Sequence, residues 1–144
     1  MIAALQPEDT DRVLEIGTGS GYAAAVLSRI VREVYTVERH AELAELARRR
    51  LNELGYDNVH IRHGDGTLGW ADQAPYEGIV VTAGGPRIPE ALLAQLAPGG
   101  QLVMPVGTEQ NLQHLIRVTR QKDSTYAQEE LGDVRFVPLI GAQG

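Results

Sequence analysis

Three glycines at alternate positions, Gly17, Gly19 and Gly21, follow a short apolar run ending Leu14-Glu15-Ile16, and an alanine-rich segment follows them at once. Bare main chain at that spacing, between a strand and a helix start, lets backbone N–H groups close in on a nucleotide-like ligand. Thr18 and Ser20 fill the alternate positions and belong to the same loop. The chemistry on offer is ligand holding rather than covalent attack.

Carboxylates stand where the neighbouring strands should end. Glu38 closes the run that begins at Glu33, at the place where a side chain reaches a ligand's ribose and accepts from both hydroxyls. With Arg39 and His40 beside it, a glutamate that merely caps a strand is the competing reading, and its position relative to the loop favours the ribose. Gly64-Asp65-Gly66 follows the next strand-like stretch. Taken alone it is an Asp-Gly turn; beside the other two loops it brings backbone to a flat base, with Asp65 accepting from an exocyclic amino group. Glu15 ends a buried strand, where a carboxylate is costly unless partnered, and is expected to meet a loop amide or an ammonium group of the ligand. Thr82-Ala83-Gly84-Gly85-Pro86 leaves room for a ligand after the fourth strand, and reads equally well as a plain loop before a helix.

Other constellations fail. His60 and His63 fall on opposite sides of a strand, and His40 and His114 have no partners at metal-ligand spacing in the sequence. All four read as surface or structural residues, and no metal site is expected. Ser20 lacks the Gly-x-Ser-x-Gly flanks of a nucleophile elbow, and no Gly-Lys-Ser/Thr loop occurs. Trp70 and Phe136 read as packing residues.

The elements that must position these groups alternate along the chain. Strands are expected at 12–16, 33–37, 58–62, 77–82 and 101–106, the fourth apolar enough to be covered on both faces. Helices are expected at 22–31, at 41–54 with Leu43, Leu46, Ala47, Leu51 and Leu54 on one face, and at 89–96, ended by Pro98-Gly99-Gly100. Alternation then stops. Strands at 112–119 and 134–139, with a turn-rich charged stretch at 121–130 between them, predict a closing antiparallel hairpin. The expected architecture is a doubly wound, Rossmann-like α/β domain over residues 1–144, with ligand at the carboxyl ends of the first strands.

Composition agrees. The 144 residues carry 43% hydrophobic and 22% charged residues, a net charge of −6 and no cysteine, which excludes disulfides and thiol catalysis. The basic run Arg48-Arg49-Arg50 reads as a solvated helix face paired with upstream glutamates, so nucleic acid is not an expected partner. No apolar run is long enough to span a bilayer and no export signal is evident, which makes the cytoplasm the default expectation and a membrane an unexpected partner.

The Gly-x-Gly-x-Gly form, preceded by Glu15, resembles the loop of S-adenosylmethionine-dependent methyltransferases; an NAD-linked oxidoreductase would space its glycines as Gly-x-Gly-x-x-Gly. Taken in order with Gly64-Asp65-Gly66, Gly69-Trp70, Ala74-Pro75-Tyr76, Ile88-Pro89, Gln95-Leu96, Pro98-Gly99-Gly100, Pro105-Val106-Gly107 and Val134–Leu139, the chain resembles the protein-L-isoaspartate O-methyltransferases from about Val13 to Leu139. The resemblance implies methyl transfer from S-adenosylmethionine to the α-carboxylate of isoaspartyl (or D-aspartyl) residues in peptides and proteins, which initiates repair. It implies that Gly17, Thr18, Gly19, Ser20 and Gly21 line the methionine end, that Glu38 and Arg39 take the ribose, and that Asp65 and Gly66 take the adenine. Thr82 and Ala83 would flank the acceptor, with the closing segment Pro138-Leu139-Ile140 near it, Ile140 standing where relatives often carry threonine. Members of the family have a further N-terminal region with a Thr-Ile-Ser-type segment, so its serine has no counterpart here and no catalytic residue is assigned. The expectation is therefore a truncated member whose cofactor site is complete, and whose uncovered acceptor side slows turnover and favours self-association. A non-catalytic S-adenosylmethionine-binding or interaction module is the alternative.

Overall fold

The computed structural model describes residues 1–109 and 112–144. A 3-10 turn at Ile2–Leu5 leads into β1 (Arg12–Ile16), α1 (Tyr22–Ser28), β2 (Glu33–Glu38), α2 (Ala41–Glu53), β3 (Val59–His63), β4 (Tyr76–Val81), α3 (Glu90–Ala94), β5 (Leu96–Glu109), β6 (Leu112–Arg120) and β7 (Tyr126–Val134). One seven-stranded sheet results, in the order β3-β2-β1-β4-β5-β6-β7. Its first five strands run parallel, and β6 and β7 are antiparallel additions.

The central strands are buried almost throughout, and their branched and aliphatic side chains, pointing alternately to either side, put two cores on the two faces. Val13, Ala24, Leu27, Val34 and Val80 pack on the α1 side. Leu14, Ile16, Tyr35, Val37, Ile79 and Leu92 pack on the α3 side, and Trp70 joins them at the margin. Having both faces covered is what a parallel sheet demands, and it leaves the carboxyl ends of β1, β2 and β4 as the open edge.

The expected elements form, with four differences. On α2 the buried stripe is Ala44, Ala47 and Leu51, whereas Leu43, Leu46 and Leu54 are exposed. Small residues let α2 sit against the glycine loop, where a Cβ on Gly21 would touch Leu51 and Ala47. β5 starts at Leu96 and runs through Pro98-Gly99-Gly100, with its register to β4 shifting between Tyr76 and Gly78. α1 ends at Ser28 rather than residue 31.

The fourth difference concerns the closing hairpin, which is present but displaced. Its turn is tight, with Gln121 N donating to Thr125 O at 2.8 Å, and the second strand is Tyr126–Val134. Nearly all of β7 is exposed, so no apolar alternation marks it, and backbone pairing to β6 holds it. Residues 135–139 are not a strand. Their apolar side chains cover the open edge of the sheet, where Pro138 makes an isolated bridge with Gly84.

Candidate ligand site

Gly17 begins the loop between β1 and α1 and has φ +99, a conformation that side chains disfavour. Its N–H donates to Val37 O at 2.9 Å, and a Cβ there would run into Thr82 Oγ1. Thr82 in turn donates its hydroxyl to Ile16 O at 2.9 Å and sends its amide to the same carbonyl. The loop is thereby sewn to β2 on one side and to the end of β4 on the other.

A cavity of about 430 Å3 opens beside it. Gly17 and Gly19 supply main chain to its wall, and Glu38 and Arg39 supply the end of β2. Gly66, Thr82 and Ala83 complete the floor, and Val137–Ile140 cross the mouth. Glu38 is only 5% exposed. Its Oε1 accepts from Gly19 N at 2.9 Å and its Oε2 from His40 N at 2.8 Å. A carboxylate offers about four acceptor positions, so two remain for ligand hydroxyls.

Glu15 differs from expectation. It does not line the cavity and meets neither a loop amide nor open space. It is fully buried on the α1 face, opposite Thr36 in the β1–β2 register, and accepts from Thr36 Oγ1 at 2.7 Å. Thr36 Oγ1 is 2.6 Å from Thr18 Oγ1, so a buried chain runs from the loop to the carboxyl, and Thr18 turns into it rather than toward the cavity. Among the described residues Glu15 Oε2 has no partner. Burial raises the pKa to about 7 against the pull of the Thr36 hydroxyl, and the nearby Glu38 charge adds to the rise.

Asp65 also lies off the main cavity, in an adjoining one of about 260 Å3 that shares Val37 with it. Partial burial pulls its pKa upward, but hydrogen bonds from Ala142 N and from Thr67 outweigh that, and the net shift is downward. Ser20 and Gly21 fall outside both cavities: Ser20 is exposed at the loop's tip, and Gly21 precedes α1. The expected residues brought to one cavity are therefore Gly17, Gly19, Glu38, Arg39, Gly66, Thr82, Ala83 and Ile140. Val137–Leu139 and Leu43 also line it; residue patterning gave the first three to a strand and the last to a core face, whereas the family resemblance set Pro138 and Leu139 near the acceptor.

The histidines are held by ordinary partners. His60 stacks on Tyr35 and meets Glu33 at 2.8 Å, and His63 meets Arg39 O at 3.0 Å. His114 does have acidic partners, contrary to expectation: Glu130 and Asp133, each at 2.9 Å, come from the adjacent strand β7, a pairing that spacing along the chain does not reveal. Arg48 pairs with Glu45 at 2.7 Å on the exposed face of α2, as expected for a solvated basic run.

The model of the family "Protein-L-isoaspartate(D-aspartate) O-methyltransferase" matches residues 1–144. A protein-L-isoaspartate O-methyltransferase 2 of Pelobacter propionicus is 63% identical over 144 residues, which is 100% of this chain and 64% of the relative. One from Geotalea uraniireducens is 61% identical, with 66% of its length covered. The chain thus spans just under two thirds of these relatives. A solved protein-L-isoaspartate O-methyltransferase superposes with TM-score 0.91 at 32% identity, over 99% of this chain and 46% of that one. A Plasmodium falciparum structure described under the same activity, in complex with S-adenosyl-L-homocysteine, gives TM-score 0.73 at 25% identity over 92% of this chain and 67% of that one.

Proposed function

Because the chain belongs to the protein-L-isoaspartate (D-aspartate) O-methyltransferase family, we propose that residues 1–144 act as one unit that binds S-adenosylmethionine and transfers its methyl group to the α-carboxylate of isoaspartyl or D-aspartyl residues in peptides and proteins. The observation that carries this reading is the Glu38 carboxylate, fixed by Gly19 N and His40 N at the edge of a cavity floored by bare main chain. The residues fit such a cofactor. Gly19 leaves open space where a side chain would stand, acceptor positions remain on Glu38 for two ribose hydroxyls, and the cavity volume suits a nucleoside-sized group.

S-adenosylmethionine, when bound, supplies an electrophilic methyl group. Glu38 would hold the ribose, Gly17 and Gly19 would leave space for the methionine end, and Thr82 and Ala83 would bound the acceptor side. An acceptor carboxylate is already ionised at neutral pH, so no general base is needed from this chain. Its contribution is orientation and exclusion of water. That role leaves Val137 and Ile140, 69% and 51% exposed, as apolar material at the mouth for a peptide to cover.

Calorimetry with S-adenosylhomocysteine, followed by transfer of labelled methyl to an isoaspartyl peptide, tests the reading. Binding with ester formation supports it, and absence of binding removes the cofactor assignment. The exposed rim of Leu43, Val137 and Ile140 favours one second reading, a binding module that associates through this face without turnover. Sedimentation showing a monomer that turns over would exclude it.

A further inference from the structure

We propose that residues Leu139–Gln143 form a strap that aims the Asp65 carboxylate and so makes the site selective for a ligand base bearing an exocyclic amino group. The inference rests on the cofactor reading above and adds a source of base specificity to it. The strap is anchored upstream by an exchange with the loop after β4, in which Gly84 N donates to Val137 O and Leu139 N donates to Gly84 O, both at 2.7 Å. Downstream, Ala142 N donates to Asp65 Oδ2 at 2.9 Å and Gln143 N donates to Thr67 Oγ1 at 3.1 Å. The Gln143 side chain accepts from Ala91 N at 3.2 Å, tying the end of the strap to α3. Between these anchors the main chain passes so close that a Cβ on Gly141 would overlap Asp65 Oδ1 and Thr67 Cγ2.

The carboxylate is consequently held from two sides. Thr67 donates its amide and its hydroxyl to Oδ1, at 2.9 and 2.7 Å. With Ala142 N on Oδ2, three of about four acceptor positions are filled, and the last lies on Oδ2. These donors also favour the ionised form, which can only accept. Asp65 borders the smaller cavity, whose wall Val37 is shared with the main one, so the carboxylate stands in the cavity next to the proposed ribose site. A base placed there gains a hydrogen bond if it presents an amino group, as adenine does. A carbonyl at the same place, as in hypoxanthine, would set an acceptor against a fixed anion. Ala142 touches no ligand in this arrangement and is a positioning residue acting through Asp65.

The test compares S-adenosylhomocysteine with S-inosylhomocysteine by calorimetry on the chain, its Ala142→Pro variant, which lacks the donated N–H, and its Ala142→Gly variant, which keeps it. The unaltered chain should prefer the adenosyl compound by about 10-fold or more, since a site built around one hydrogen bond discriminates against its absence. Ala142→Pro should reduce the preference to about 2-fold with the inosyl affinity unchanged, and Ala142→Gly should restore it. An unchanged inosyl affinity also reports that the variant is folded, which a merely structural defect would not preserve. If Ala142→Pro binds neither compound, Thr67→Val decides instead: it removes the hydroxyl joining Gln143 N to Asp65, and it should erase the preference equally. Full preference retained in a folded Ala142→Pro or Thr67→Val protein overturns the strap. Equal binding of both compounds by the unaltered chain overturns it while leaving the cofactor reading standing. No binding of S-adenosylhomocysteine at all overturns both.

Discussion

Replacing Glu15 with glutamine should alter stability in a way that depends on pH, because this carboxyl is fully buried with one oxygen unpartnered among the described residues. Its pKa is about 7 in the folded chain against an ordinary value of 4.5. Between those values the unfolded chain has lost the proton while the folded chain keeps it. The unfolded state then binds fewer protons, and stability falls as pH rises through that window. The gap corresponds to about 3 kcal/mol when complete, at about 1.4 kcal/mol per pH unit. Glutamine retains a carbonyl to accept from Thr36 and cannot ionise. Urea unfolding of both proteins at pH 5 and pH 8 isolates the effect, since the pair differs in no other titratable residue. The stability of Glu15→Gln relative to the unaltered chain should rise by about 2–3 kcal/mol between the two pH values. A difference that stays constant, or that moves in favour of the unaltered chain at pH 8, would show that Glu15 does not hold its proton in the fold.

Three further outcomes follow from the same contacts. Thr36→Val leaves Glu15 Oε1 without its donor and Thr18 without its partner, and should cost about 1–3 kcal/mol in urea unfolding; no cost would mean the buried chain does not stabilise the loop. Glu38→Gln sets an amide NH2 against either Gly19 N or His40 N, and calorimetry should show S-adenosylhomocysteine binding weakened about tenfold or more, with unchanged affinity arguing against a ligand role. Gly17→Val places a branched side chain at φ +99 and against Thr82 Oγ1, so it should lose about 2 kcal/mol or more and abolish binding; a melting temperature equal to that of the unaltered chain would contradict the loop geometry.

Much of the parallel half was legible because each of its signals is local. Glycine spacing marks the β1–α1 turn, and the uninterrupted apolar run of β4 marks a strand covered on both faces. Glu38 could be placed because a strand end adjoining the loop has few other uses. What escaped depends on partners distant in sequence. Asp65 meets Ala142, and no pattern near either residue announces the contact. β7 carries Gln128, Glu129, Glu130 and Asp133 with neither face packed, so periodicity had nothing to report. Val137, Pro138 and Leu139 are apolar where they line a cavity, which from composition alone looks the same as a strand. Leucines 43, 46 and 54 were assigned to a core face by helical spacing, but close approach to the glycine loop selected alanines instead. Glu15 was recognised as anomalous, while the hydroxyl that meets it belongs to the neighbouring strand.

The wet, outermost position of β7 bears on how the molecule can be modified. Its amides rely on a single ladder to β6, fastened at intervals by Arg117 to Glu129 and by His114 to Glu130 and Asp133. Opening it strips little hydrocarbon from the interior, so its hydrogens should exchange through brief local excursions while those of β1 and β4 wait for the whole fold to come apart. The Gln121–Thr125 turn is then the natural point for grafting a fluorophore, an affinity handle or an extra peptide, because the parallel strands that shape the proposed pocket would not register the change.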